Sequence, residues 1–273
     1  MDDQQMRIFW QSFVDETASA PYMEKLARDL NAIASPGTTV DVFGISPPDR
    51  AFSRLSELRC AVLAIDNAIE AAQAGYDAVV VGHFQDPGLY EMKSAVDIPV
   101  IGAGEVSMHF AAQLGRAIGL VSLDELYRSH HLEQAALYGL GDRVVHVAGL
   151  NGQPSDFSEA FAGNLEAKAR LLGAFRTAAQ PMVDKGADVI VAAGILPAML
   201  VGSEHGMKIG CAPVVNSAAV TLFSAEMQVR LARLNGTGVC RGQHCNLSPA
   251  QAISDFRDLM ANGRKSRLSL AAK

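Results

Sequence analysis

Several protein classes are excluded by what this chain has little of. Aromatic residues fill 6% of its 273 positions, with a single tryptophan, whereas glycine occurs 24 times and Ala, Val and Leu abound. That balance suits packed layers of helix and sheet better than a β-sandwich. Cysteine is scarce: Cys60, Cys211, Cys240 and Cys245 are too few and too scattered for a disulfide framework. Positive charge is not in excess, because 23 Lys and Arg face 29 Asp and Glu for a net charge of −6. Nothing electrostatic therefore favours nucleic acid as a partner. No apolar run approaches the roughly 20 residues that span a bilayer. Met1-Asp-Asp-Gln-Gln is polar and acidic, the opposite of a secretory signal. The expectation is a soluble, cytoplasmic protein whose partner is a small-molecule substrate, with no nucleic acid and no membrane. A G-x-G-x-x-G fingerprint after a strand is also missing, so no nucleotide cofactor is expected.

What is present centres on Gly75-Tyr-Asp-Ala-Val-Val-Val-Gly-His83-Phe-Gln-Asp86-Pro87-Gly88-Leu89. Ala78 to Val81 form a short apolar run without alternation, as in a strand buried on both faces. His83 and Asp86 follow, and then Pro-Gly forces a turn. Ligands of open parallel sheets bind beyond the carboxyl ends of strands, so His83 stands where chemistry is usually done.

The rest of the chain alternates in the same way. Strands are predicted at Met6–Trp10, Thr38–Phe43, Ala78–Val81, Asp97–Ile101, Ala117–Val121, Val144–Val147, Val189–Ala192 and Pro213–Val215. Helices are predicted from Pro21, around Val62 to Ala72, from Pro87, over Glu105–Leu114 and Leu126–Leu137, and as one long region over Phe157–Val183 weakened at Gly173 and Pro181. Further helices are predicted from Pro197 and over Ala218–Leu234. A long loop through Pro47, Pro48 and Arg50 precedes the second helix. Eight strand-then-helix units also fit a (β/α)8 barrel. An internal repeat favours two halves instead. Gly75-Tyr-Asp-Ala-Val-Val-Val matches Gly186-Ala-Asp-Val-Ile-Val-Ala at an offset of 111 residues (186 − 75), and Pro99-Val-Ile matches Pro213-Val-Val at 114 (213 − 99). The expected fold is α/β, with two similar pseudo-twofold-related domains, each a four-stranded parallel sheet flanked by helices, and a site in the cleft between them. One domain would span residues 1–103 plus 217–273, and the other 104–216. Position 83 then has its counterpart at Gly194.

These motifs resemble the aspartate/glutamate/hydantoin racemase superfamily, most closely its hydantoin and allantoin racemase branch. The resemblance rests on Phe84-Gln-Asp-Pro-Gly-Leu89 and Ile98-Pro-Val-Ile-Gly-Ala-Gly-Glu-Val-Ser-Met-His109, with looser matches at Gly186-Ala-Asp-Val-Ile-Val and Ala212-Pro-Val-Val. It covers roughly Arg7 to Leu234, and it implies an enzyme that needs no cofactor. Such proteins carry a cysteine in each half, one on each side of the substrate's α-carbon. Here His83 stands at the first position, and Ala192-Ala-Gly194-Ile-Leu-Pro197 offers no thiol at the second. Two-thiol racemisation is therefore not expected.

An imidazole with a reference pKa of about 6.5 can act as a general base at neutral pH. His83 is the candidate for that role, by proton abstraction α to a carbonyl. Isomerisation, elimination or decarboxylation, and ring-opening hydrolysis of a cyclic amide or lactone all remain open, as does a non-catalytic binding protein. Candidate substrate contacts are the amides near Phe84, Gln85, Gly194 and Ile195, and the side chains of Gln11, Ser12, Ser122, Asn216 and Ser217. Asp86 is expected to cap the helix containing Pro87. No metal is expected: Glu105 and His109 share a helix face near His83 but lie in a motif the resemblance marks as metal-free. Cys240-Arg-Gly-Gln-His244-Cys245 lacks a fourth zinc ligand at recognisable spacing. His130 and His131 are expected at the surface or an interface, and Glu204 and His205 in a solvated loop. Ser248-Pro249 should open a helix striped by Ile253, Phe256, Leu259 and Met260. Gly263 should end it before a flexible Arg264–Arg267 tail. This arm can pack on its own domain or on a neighbouring subunit, the second case making a homo-oligomer.

Overall fold

The computed structural model describes residues 5–48, 53–152 and 154–262; Met1–Gln4, Arg50, Gly263 and the Arg264–Arg267 tail lie outside them. The first half runs β1 (Met6–Gln11), α1 (Ala20–Ile33), β2 (Thr38–Phe43), α2 (Arg54–Gln73), β3 (Ala78–Val81), α3 (Leu89–Ala95), β4 (Val100–Gly102) and α4 (Ala103–Leu114). The second runs β5 (Ile118–Ser122), α5 (Arg128–Leu137), β6 (Val144–Gly149), α6 (Pro154–Phe161), α7 (Leu165–Asp184), β7 (Val189–Ala193), α8 (Ile195–Gly202), β8 (Lys208–Ile209), β9 (Ala212–Asn216) and α9 (Ser217–Asn235). Helix α10 (Ala250–Asn262) follows. No described helix is long and apolar enough to cross a membrane.

The strands form two sheets, ordered β2-β1-β3-β4 and β6-β5-β7-β9-β8, parallel throughout except at β8. Two separate open sheets rule out the barrel. The shared order makes β1, β2, β3 and β4 the counterparts of β5, β6, β7 and β9. Every residue of β3 and β7 is buried, which explains their continuous apolar runs. The antiparallel two-residue β8 adds a fifth strand to the four expected in the second sheet.

The repeat is more than a sequence likeness. Asp77 accepts the Arg7 N–H at 2.8 Å, and Asp188 accepts the Arg116 and Ala117 N–H groups at 2.9 Å. Each carboxylate thus caps the start of its sheet's inner strand, where the first amides lack a ladder partner. Gly75 and Gly186, two residues earlier, both adopt positive φ, at 78° and 98°.

The two halves interleave at α4 and α9. Helix α4 packs on β7 and β9, α9 packs on β3 and β4, and the two helices lie against each other. One apolar core accordingly runs through both sheets, from Ile8, Trp10 and Val80 to Phe175, Ile190 and Leu222.

The long helix expected over Phe157–Val183 is two helices. Gly163 turns with φ of 98°, and the Asn164 side chain accepts the Glu166 and Ala167 N–H groups, starting α7 afresh. Gly173 and Pro181 both lie within α7, so the cap rather than either weak point sets the break. The arm packs on its own chain. Ile253 and Phe256 meet the core under α2, and Arg257 reaches Asp66 and Glu70 at 3.1 and 2.7 Å. Leu259 is exposed.

Candidate active site

The carboxyl ends of β1, β3, β5 and β7 converge on a cavity of about 330 Å³. Of the expected site residues, Ser12, His83, Phe84, Gln85, Ser122, Gly194 and Ile195 line it, with Phe13, Tyr22, Leu123 and Tyr127 among their neighbours. His83 is half-buried, and its ring stacks on Phe13 with centroids 4.9 Å apart. Gly82 explains how the strand end delivers it there. A Cβ at Gly82 would overlap the Trp10 indole nitrogen, so only glycine lets β3 pass this close to the core tryptophan.

Three expected contacts are corrected. Gln11 is wholly buried. Its amide nitrogen donates to Ser12 O and Gly44 O and its oxygen accepts from Asn67, so both of its N–H groups are committed inside the protein. Asn216 is spent capping α9 through the Ala218 and Ala219 N–H groups. Ser217 donates to Ala192 O at 2.7 Å. None of these three lines the cavity.

Gly194 has φ 151° and ψ 154°, a region open only to glycine. It opens α8, whose first-turn amides at Ile195 and Leu196 have no intrahelical acceptor, since the first closing bond runs from Ala198 N–H to Gly194 O. Both residues line the cavity, and a helix N-terminus carries the end of the dipole that favours negative charge. Burial pushes the Tyr22 phenol above its ordinary range, partly offset by a hydrogen bond with Ser12.

Asp86 does not cap the helix after Pro87, which begins at Leu89 behind Gly88. Instead it turns back with φ of 52° and accepts the Gly104 and Glu105 N–H groups at the start of α4, at 3.0 and 2.7 Å. The Tyr138 hydroxyl donates to it at 2.7 Å, and Gln134 Nε2 lies 3.2 Å away. Burial raises this carboxyl to about 7, against the pull of those donors. Asp86 therefore ties the loop that carries His83 to α4 and α5. Glu105 pairs with Lys93 at 2.8 Å, and His109 lies beside the Tyr138 ring.

His131 is the largest departure from expectation. It is fully buried, not at the surface, and its Nε2 lies 3.0 Å from Ser122 Oγ. Its Nδ1 lies 3.3 Å from Gln134 Oε1, and Gln134 Nε2 donates to Phe84 O at 2.6 Å. Burial lowers the imidazole to about 4. A readable signal existed: 131, 134 and 138 are helically spaced, a polar stripe on the same helix as buried Ala135. His130, by contrast, is only partly buried and faces Glu57 at 3.2 Å.

The Asp/Glu/hydantoin racemase family model matches residues 13–221. The chain belongs to this family. It is 23% identical over 136 residues to a hydantoin racemase of Paenarthrobacter aurescens, covering 49% of this chain and 58% of that protein. It is 26% identical over 83 residues to another from Pseudomonas sp. (strain NS671), covering 30% of this chain and 33% of the relative. The matches thus span less than two thirds of either curated relative. The fold is similar to an allantoin racemase from Klebsiella pneumoniae, with TM-score 0.70 and 18% identity over 90% of this chain and 94% of the other. It is also similar to a glutamate racemase from Bacillus anthracis, with TM-score 0.58 and 16% identity over 97% and 96% of the two chains. None of the four cysteines, all of them described residues, lines the cavity.

Proposed function

We propose that this protein is a cofactor-independent enzyme of the isomerase type. In this reading His83 takes a proton from the carbon α to a carbonyl of a small substrate, replacing the thiolate that the family resemblance implies at position 83. The observation that carries the reading is an imidazole at the carboxyl end of β3, on the wall of a cavity and braced by Phe13. Geometry and residue type both suit a general base. Negative charge arising on the carbonyl oxygen would be met by the amides of Ile195 and Leu196. Gly194, at the matching place in the second half, has no side chain to return a proton from the opposite face. The same imidazole would therefore return it to a different atom of the substrate, as in a carbonyl or double-bond shift, because return to the same face of the α-carbon regenerates the starting compound.

Two neighbouring reactions use the same base, a decarboxylation and a ring opening of a cyclic amide. The one-sided site favours keeping them beside isomerisation, because neither needs a second proton donor across the substrate. The division into residues 1–103 with 217–273 and residues 104–216 belongs to the same proposal. It is supported by the exchange of α4 and α9 between the sheets.

The test is incubation with 5-substituted hydantoins, substituted malonates, lactones and amino acids in deuterium oxide. Deuterium entering the α-position, or loss of carbon dioxide, supports the reading. Neither event with any of the four classes, together with measurable binding, favours a ligand-binding protein.

A further inference from the structure

We propose that Ser122 reads a hydrogen-bond donor on the substrate, and that His131 and Gln134 fix it in that role. The assignment rests on the proposed use of the cavity by a small substrate and goes beyond it, because it sets the polarity of one contact.

The argument starts from a group that cannot change its role. Phe84 O is a backbone carbonyl and only accepts. Gln134 Nε2 lies 2.6 Å from it and 3.2 Å from Asp86 Oδ2, so that end of the amide is the nitrogen. The other end, Oε1, is then an acceptor facing His131 Nδ1 at 3.3 Å. His131 must carry its proton on Nδ1. A neutral imidazole has one N–H, so Nε2 is left as an acceptor, and it lies 3.0 Å from Ser122 Oγ. The Ser122 proton therefore goes to His131. What Oγ offers the cavity is lone pairs.

A Ser-His pair also suggests a nucleophile. Burial decides against that use, because an imidazole lowered to about 4 is a weak base and accepts a hydrogen bond better than it keeps a proton. His131 and Gln134 are positioning residues, and Ser122 determines specificity.

The chemistry that fits is an N–H or O–H aimed at Ser122, as in a ring amide or ureide. A carboxylate oxygen at that place would meet lone pairs. Among the described lining residues there is no Lys or Arg, and the acid present is Asp15, so no side-chain cation draws an anion to Ser122. The Ile195 and Leu196 amides leave room for a carbonyl oxygen of the same neutral ring.

The test is titration calorimetry with 5-benzylhydantoin, its 1-methyl and 3-methyl derivatives, and the ring-opened N-carbamoylphenylalanine. The parent ring should bind wild-type protein about tenfold or more tightly than one of the methylated rings, the worth of one neutral hydrogen bond. Ser122→Ala should erase most of that preference, and the ring-opened anion should bind weakest. Nitrogen-15 NMR of wild-type protein should show His131 as the Nδ1–H tautomer, a measurement that needs no buried substitution. An Nε2–H tautomer, an unchanged preference in Ser122→Ala, tighter binding of the anion, or no binding by any of the four overturns the assignment. Deuterium exchange at the α-carbon in the same samples separates the two claims. Exchange without discrimination sinks the Ser122 assignment alone, and discrimination without exchange sinks the His83 reading alone.

Discussion

Gly194 occupies in the second half the place that His83 occupies in the first, and its backbone, at φ 151° and ψ 154°, admits no L side chain without strain. A Cβ there would also lie 3.1 Å from Pro197 Cδ. The missing second side chain is thus built into the conformation of the β7–α8 turn. Gly194→Cys should destabilise the protein by about 1–3 kcal/mol, the usual cost of such a backbone region. Urea denaturation measures this directly. A variant as stable as wild type would show that the turn relaxes freely.

Gly82 poses the equivalent question beside His83. Gly82→Ala must displace the Trp10 indole, and overpacking of this kind costs about 1–3 kcal/mol. Because residue 82 precedes the proposed base, the variant should also lose turnover under conditions where it remains folded. Circular dichroism with activity on the same sample reads both. Full turnover would mean that the strand end does not set the position of His83.

Asp86 holds three segments together through four donors. Asp86→Ala leaves the Gly104 and Glu105 amides, Gln134 and Tyr138 facing an empty site, and leaving a buried donor unpaired costs about 1–3 kcal/mol. The denaturation midpoint should fall accordingly. A change below about 1 kcal/mol would mean that water replaces the carboxylate without penalty.

His131 makes stability depend on pH. Its folded pKa, about 4, lies below an unfolded value of about 6.5. The neutral form is therefore favoured on folding. That contribution is fully present above about pH 6.5 and is lost as pH falls toward 4, by roughly 3 kcal/mol at about 1.4 kcal/mol per unit. Denaturation of wild type and His131→Gln across this range checks the sign. The two curves should converge on acidification, and parallel curves would remove His131 as the cause.

Much of the fold was readable because parallel strands buried on both faces leave unbroken apolar runs. Ala78–Val81 matches its predicted bounds for that reason, whereas Thr38–Phe43, an edge strand with only Val40 buried, was readable through its β-branched residues. The repeat was readable through Gly75 and Asp77 against Gly186 and Asp188, whose turn and capping duties admit few other residues. The short β8 pairs over two residues and leaves no period to detect. At the site, His83 was visible as a titratable residue after a buried strand. Gln11, Asn216 and Ser217 misled because a polar residue at a strand end serves a helix cap or a backbone carbonyl as readily as a ligand. Sequence neighbours do not reveal which. Asp86 was misread for a related reason, since its partners at α4 and α5 lie 18 to 52 residues away and leave no local signature, whereas for His131 the spacing with Gln134 on α5 was a signal and the contact with Ser122 on β5 was not.

The central claim is that His83 is the base. Its most direct test is deuterium incorporation at the α-carbon of a 5-substituted hydantoin, followed by NMR for wild type, His83→Ala and His83→Cys. Loss of a general base costs about 100-fold or more, so exchange should vanish in His83→Ala and return in part with the thiol of His83→Cys. Undiminished exchange in a folded His83→Ala variant would contradict the account.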